Sequence, residues 1–227
     1  MTDLPSSEME TAWQDLVNIT ITFVKTELED AEGGHDWFHV ERVYKNALLI
    51  SLSEKVDKTV VALGALLHDI ADSKFHDGDE SVGPLKARQF LKSQNISEET
   101  LEHVVKIIEN ISFKGGNKTQ VFHSKELDVV QDADRLDALG AVGIARTFNY
   151  GGFKNRKLYD PEIKPNLKMT PSEYKASNAP TINHFYEKLL LLKDRMNTET
   201  ARKIAEERQA FMETFLQQFY AEWEGRK

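Results

Sequence analysis

The chain has 227 residues, with 29 Lys+Arg against 37 Asp+Glu and a formal charge of −8. At ~100–200 residues per domain this allows one large domain or two small ones, and a chain this long buries about 70% of its unfolded surface without needing a staple. A composition 40% hydrophobic and 29% charged excludes a disordered or fibrous protein. The acidic balance argues against general nucleic-acid binding, which needs a basic footprint. With no cysteine there is no disulfide framework, thiolate metal site or cysteine nucleophile. That usage fits a reducing compartment, and the expected location is cytoplasmic. The longest uncharged apolar run, Val60 to Leu67, is far short of the ~20 residues that span a bilayer, so no membrane association is expected. The start, MTDLPSSEMETAW, is acidic where an export signal is basic.

Apolar residues recur at helical spacing along nearly the whole chain. In 8–29, Trp13, Leu16, Val17, Thr20, Val24 and Leu28 form one stripe, stopped by Gly33-Gly34. A second helix starts at Asp36 and runs to about Ser53, with His39, Val43, Ala47 and Ile50 on one face. Asp57 can cap a third, Lys58 to Ala71, which is apolar all round from Val60 to Leu67 and should be central. A polar loop, 72–84, follows. Helices then fit 85–95, 98–111 (capped by Ser97), 125–137 and 138–149. No period-two alternation or hairpin signal marks a strand. Residues 150–180 hold Gly151-Gly152 and four of the six prolines, and read as a long loop: a lid, a specificity element or a connector. Helices 181–196 and 198–223 close the chain, the last with Ile204, Phe211, Phe215, Phe219 and Trp223 as its apolar stripe. There is no internal repeat.

Four ionisable residues fall where a core should be apolar. His39 shares the Val43/Ala47/Ile50 face, His68 and Asp69 end the buried helix, and Asp134 has Leu127, Val130, Ala138 and Ala141 at offsets of four and seven. A buried carboxylate must meet a cation or a set of donors. Two imidazoles and two carboxylates suit a divalent metal of intermediate hardness, and four ligands leave an octahedral ion open positions for water. Any one of these alone reads as a core histidine or a capping aspartate; the set of four does not.

The order His39, His68-Asp69, Asp134 resembles the H…HD…D signature of the HD superfamily of metal-dependent phosphohydrolases. The flanking segments HDWFHVERV (35–43), ALLHDIADSK (65–74), VVQDADRLDALGAVGIARTF (129–148) and HFYEKLL (184–190) resemble small bacterial single-domain members. The resemblance implies an all-α helical bundle with a C-terminal helical extension: a single HD domain over 1–227, its core about 10–150 and its C-terminal helices 181–225. It also implies one divalent ion (Mn, Co, Ni, Fe or Mg) on His39, His68, Asp69 and Asp134, and a small phosphorylated substrate, foremost a nucleotide. Homodimerisation is left open.

Asp72, three residues past Asp69, is expected to act as general acid or base; in related nucleotidases a carboxylate at this place has that role. Asp77 is a weaker candidate. Ser73 stands where the similar alarmone hydrolases carry a second acid, which argues against that activity. Arg42, one turn past His39, and Lys74 are the first choices for neutralising phosphate oxygens, ahead of Lys114, Arg146 and Lys188. Asp36 is expected to cap the His39 helix, with His35 outside it. Asp132 is read as a first-turn structural acid, and Asp137 as a partner of Arg135 or a support for Asp134. His76, His103 and His123 lie where a second metal would need ligands, but none sits in the adjacent-histidine context of binuclear relatives. The alternatives are a nucleotide-binding sensor without turnover and, needing two irons, a di-iron oxygenase.

Overall fold

A computed structural model describes residues 6–29, 31, 36–71, 79, 81–111 and 122–227; the side chains at 6, 7, 171 and 175 are outside that description. Among the described residues the regular structure is ten α-helices and two single 3-10 turns, with no strand. The helices are α1 (Ser6–Glu27), α2 (Trp37–Ser51), α3 (Lys58–Leu67), α4 (Val82–Ser93), α5 (Glu98–Asn110), α6 (Lys125–Asp137), α7 (Gly140–Phe153), α8 (Pro171–Ala176), α9 (Asn183–Glu187) and α10 (Glu199–Trp223). No helix among the described residues is long and apolar enough to cross a membrane. The all-α expectation holds.

The residues group into two compact units, one holding α1–α5 and α6 as far as Ala133, the other running on from Asp134. The division falls inside α6, which is one unbroken helix. In the first unit α3 is the hub, packed by α1, α2 and α5. Every residue from Val60 to Leu67 is buried, because a helix apolar on all sides is stable only with protein on all sides. Gly64 lets α5 and α6 approach: a Cβ there would stand 3.3 Å from Ile107 and 3.4 Å from Val130. Caps set the helix starts. Asp57 accepts the amides of Thr59 (2.8 Å) and Val60 (3.2 Å), Ser97 that of Thr100 (3.1 Å), and Ser124 that of Leu127 (3.1 Å). Glu126 in turn accepts the Asp57 amide at 3.0 Å, tying the start of α6 to the start of α3.

Several expected boundaries move. α3 stops at Leu67, four residues early, so that His68 and Asp69 lie in the turn beyond it rather than on the helix. α4 begins at Val82 and takes Pro84 into its first turn, where a missing amide costs nothing. Gly33-Gly34 and most of the 72–84 loop lie outside the described residues.

In the second unit α7 runs through Gly151-Gly152 to Phe153 instead of stopping before them. Gly151 packs so tightly on Thr181 that a Cβ would overlap its hydroxyl, which is why glycine is required inside this helix. The end comes at Asn155, in the left-handed region at φ 52°, with Arg156 N–H reaching back to the Gly151 carbonyl at 2.8 Å. The 150–180 segment is a strap pinned along its length. Thr181 and Ile182 donate to the carbonyls of Lys157 (2.8 Å) and Leu158 (3.0 Å), Asn183 Nδ2 to Ile163 (3.1 Å), and Arg156 Nη2 to Ser177 (2.7 Å). Within it α8 is closed by a complete capping box between Thr170 and Glu173.

The single helix expected over 181–196 is instead α9 followed by 3-10 turns at Leu189–Leu191 and Lys193–Arg195. Lys188, at φ −141° and ψ −57°, breaks the α path. Phe185, Leu189, Leu192 and Met196 are still buried at steps of three and four, a spacing that α-helix and chained 3-10 turns share. On α10 the buried stripe is Ala201, Ala205, Met212 and Leu216, one position away from that expected. The small alanines allow close approach. Phe215 and Phe219 sit at the edge, stacking with Phe185 and Trp223, while Phe211 and Trp223 are about half exposed.

Tyr174 on the strap and His184 on α9 share a 2.6 Å hydrogen bond. Burial pushes the tyrosine up to about 12 and, with help from the charges of Lys188 and Arg156, the imidazole down to about 3. Both are therefore neutral at pH 7.

Two outcomes follow for stability. A Cβ at Gly143 would overlap the Ala138 backbone carbonyl, which cannot rotate away, so Gly143→Ala is expected to cost about 3 kcal/mol or more, roughly 6–12 °C in Tm. Gly64→Ala, where Ile107 can yield and helix propensity gains ~1 kcal/mol, should stay within about 1 kcal/mol of wild type when both variants are compared by scanning calorimetry. For His184 the folded pKa of about 3 lies below the ordinary 6.5. The unfolded chain thus takes up a proton first, and the stability this group contributes is complete above pH 6.5 and lost as pH falls toward 3. His184→Gln should remove up to ~1.4 kcal/mol per pH unit from the acid limb of a urea-midpoint-against-pH curve. An identical limb in the variant would refute the assignment.

Candidate metal centre

His39 is placed by the first turn of α2. Asp36, the N-cap, accepts the His39 amide at 3.0 Å, as the sequence led us to expect, and the imidazole is buried at 3% exposure, as are Val40, Val43 and Ala47 on the same helix. His68 caps the C-terminus of α3, where the helix leaves carbonyls without intrahelical donors. Its Nδ1 meets the Ala65 carbonyl at 2.8 Å. A carbonyl only accepts, so the proton sits on Nδ1 and Nε2 presents a lone pair. That Nε2 stands 3.3 Å from His39 Nε2, with the rings edge to face. Asp69, in the same turn, holds Oδ2 4.0 Å from His39 Nε2. Asp134 is carried by α6, and one donor atom each from His39, His68 and Asp134 lie within 4.8 Å of one another.

These distances suit a shared ion. Two nitrogens each ~2.0–2.1 Å from one ion as neighbouring ligands would lie about 3–3.4 Å apart, which the His39–His68 separation matches. The donor set, imidazole nitrogen with carboxylate oxygen, suits Mn, Fe, Co, Ni or Zn better than a thiolate-seeking ion. The setting suits exchange with solvent: only His39 is fully buried, while His68, Asp69 and Asp134 are half-buried. The expectation of four groups on inward core faces is corrected accordingly. Asp134 lacks the expected neighbours at 138 and 141, because α6 ends at Asp137 and Ala141 is exposed.

Other candidates fall elsewhere. Arg42 is half-buried on α2, one turn past His39. Asp72, Lys74, Asp77, Lys114, His35, His76 and Ser73 lie outside the described residues. Arg146 pairs with Asp137, which corrects the Asp137–Arg135 pairing; Arg135 donates instead to the Arg195 carbonyl at 2.7 Å. Lys188 is exposed at the end of α9. His103 bonds the Ser124 hydroxyl at 2.9 Å and lies 3.5 Å from Glu126, and His123 is exposed; neither belongs to a second cluster of metal-ligating type among the described residues. Asp132 is not a first-turn acid: it sits mid-helix and is fully buried. Its signal was available in the sequence, since Leu136 and Val129 flank it at offsets of four and three on a core face.

Residues 37–139, which include His39, His68, Asp69 and Asp134, match the HD domain family. The chain is 41% identical over 198 residues to YpgQ of Bacillus subtilis, covering 87% of this chain and 88% of YpgQ. Among solved structures it resembles an HD-superfamily hydrolase from Bacillus thuringiensis, with a TM-score of 0.75 and 44% identity over 93% of this chain and 98% of that one. It also resembles Bacillus subtilis YpgQ in complex with ADP, with a TM-score of 0.74 and 34% identity in the superposition over 93% and 96% of the two chains. A predicted HD-superfamily hydrolase from an uncultured Thermotogales bacterium follows at a TM-score of 0.61 and 30% identity, over 91% and 92%. Described residues that are helical without a strand, a His/Asp cluster inside the matched segment and near-full-length similarity to these proteins lead to one conclusion: the chain belongs to the HD superfamily.

Proposed function

We propose that this chain is a metal-dependent phosphohydrolase that cleaves a phosphate ester or anhydride, with a nucleotide as substrate. The observation that carries the reading is the convergence of the His39, His68 and Asp134 donor atoms within 4.8 Å at a half-buried edge of an apolar helical core. The similar YpgQ has been seen with ADP, which supports a nucleotide over a simpler phosphoester.

In this reading His39, His68, Asp69 and Asp134 hold one divalent ion. When bound, the ion supplies Lewis acidity and makes a water nucleophile available near neutral pH. The residues of the chain do the rest. The Ala65 carbonyl keeps His68 in the tautomer that leaves Nε2 free to coordinate, as second-shell acceptors do for ligating histidines. Asp72, just beyond Asp69 in the chain, takes the proton from the attacking water or returns one to the leaving oxygen. Arg42 and Lys74 offset the charge that builds on the phosphoryl oxygens.

A panel of nucleotides and simple phosphoesters crossed with Mn, Co, Ni, Mg and Fe tests the reading. Phosphate or pyrophosphate release should require added metal and disappear with chelator. A metal-loaded protein that binds nucleotide but releases neither product would overturn the hydrolase and leave the sensor. Asp134→Ala should lose stoichiometric metal by elemental analysis while keeping its helical circular dichroism. Asp72→Asn should keep metal content and Tm but lower kcat by ~10²–10⁴. An unchanged kcat at saturating metal would end the role given to Asp72.

A further inference from the structure

The last turn of α6 carries an ionic arrangement that neither the metal reading nor the needs of folding explain. Asp137 closes the helix at 2% exposure. A carboxylate is unfavourable there twice over. It meets the negative end of the helix dipole, and burial strips its water. Arg146 from α7 pairs with its Oδ2, and the same nitrogen lies 3.4 Å from the Asp137 carbonyl. Arg208 from α10 donates Nη1 to the Leu136 carbonyl at 2.6 Å. Burial disfavours the charge on Arg208 and the Asp137 carboxylate favours it. The turn after α6 is shaped to admit that arginine. Gly140, at φ +75°, lies where an added Cβ would be 3.1 Å from Arg208 Cγ and 3.2 Å from its Cβ.

An apolar cap on this turn would serve stability at least as well, since buried ion pairs replaced by well-packed apolar residues are commonly neutral or better. What an ion pair adds is a fixed position. Asp134 is three residues before Asp137, its neighbour one turn back on the same helix. We propose that Asp137, Arg146 and Arg208 form a clamp that sets the rotation of the α6 terminus and thereby the position of the Asp134 carboxylate. They are positioning residues, acting through Asp134, and the proposal rests on the metal reading given above.

The test measures Mn²⁺ affinity by titration calorimetry on the full chain, together with apo-state Tm and the metal dependence of turnover. Asp137→Asn keeps shape and removes the charge. Arg208→Met keeps the stem against Gly140 and removes the donor to Leu136. Each should weaken Mn²⁺ binding ~10–100-fold, the usual cost of losing an outer partner of a metal ligand. kcat should return to within about threefold of wild type at saturating Mn²⁺, because the altered quantity is placement of a ligand and not the proton chemistry. A role in stability alone would lower Tm and leave Mn²⁺ affinity unchanged, and that result overturns the clamp. If Asp137→Asn does not fold, Arg208→Met decides by the same criterion. Wild-type protein that binds none of Mn, Co, Ni, Fe and Mg would instead refute the metal reading, and if it binds one of these other than Mn the same titration is run with that ion, so the two failures are distinct.

Discussion

One hydrogen bond at the end of a buried helix organises the candidate centre. The Ala65 carbonyl, left without an intrahelical donor where α3 stops, accepts Nδ1–H from His68 and turns the other ring nitrogen toward His39 at 3.3 Å. The bond exists because α3 ends where it does. α3 is held in place by apolar packing on every side, so the orientation of one imidazole is fixed by the core of the first unit. His39 reaches the same point through the Asp36 cap, which sets the register of α2 before its buried stripe begins. Two helix termini, one start and one end, thus aim two nitrogens without a dedicated loop.

The two ends of α6 are treated differently. At its start Ser124 caps the helix, and Glu126 reaches the α3 N-cap, an arrangement of ordinary hydrogen bonds near the surface. At its end an acid is buried against the dipole and matched by arginines from α7 and α10. The contrast places the electrostatic cost three residues from Asp134, whose carboxylate lies within 4.8 Å of the His39 and His68 donors. A helix end held only by apolar packing has freedom to twist by a fraction of a turn, which a charge-assisted bond restricts.

The strap between α7 and α9 shows how a segment rich in glycine and proline can be well held. Its carbonyls are taken up by Thr181, Ile182, Asn183 and Arg156, and a neutral Tyr174–His184 pair closes the interior. A charged imidazole there would have to shed water beside two cations, so the contribution of this pair to stability is complete above the histidine's ordinary titration and falls away on the acid side.

The sequence by itself determined the helical class, the cap residues Asp36, Asp57 and Ser97, and the burial of Val60–Leu67, and it singled out His39, His68 and Asp134, whose donor atoms converge. These are local facts: apolar period, capping chemistry and the cost of an ionisable group on an apolar face leave their marks within a few residues. Only the tertiary structure decided that α7 continues through two glycines, because the reason lies in Thr181, thirty positions on. The same holds for the shift of the α10 stripe to Ala201 and Ala205, and for the pairing of Asp137 with Arg146 rather than Arg135. Close approach of backbones and partner choice among equally plausible charges depend on which surfaces meet. Residues far apart in the chain settle that, and periodicity within one helix carries no record of it.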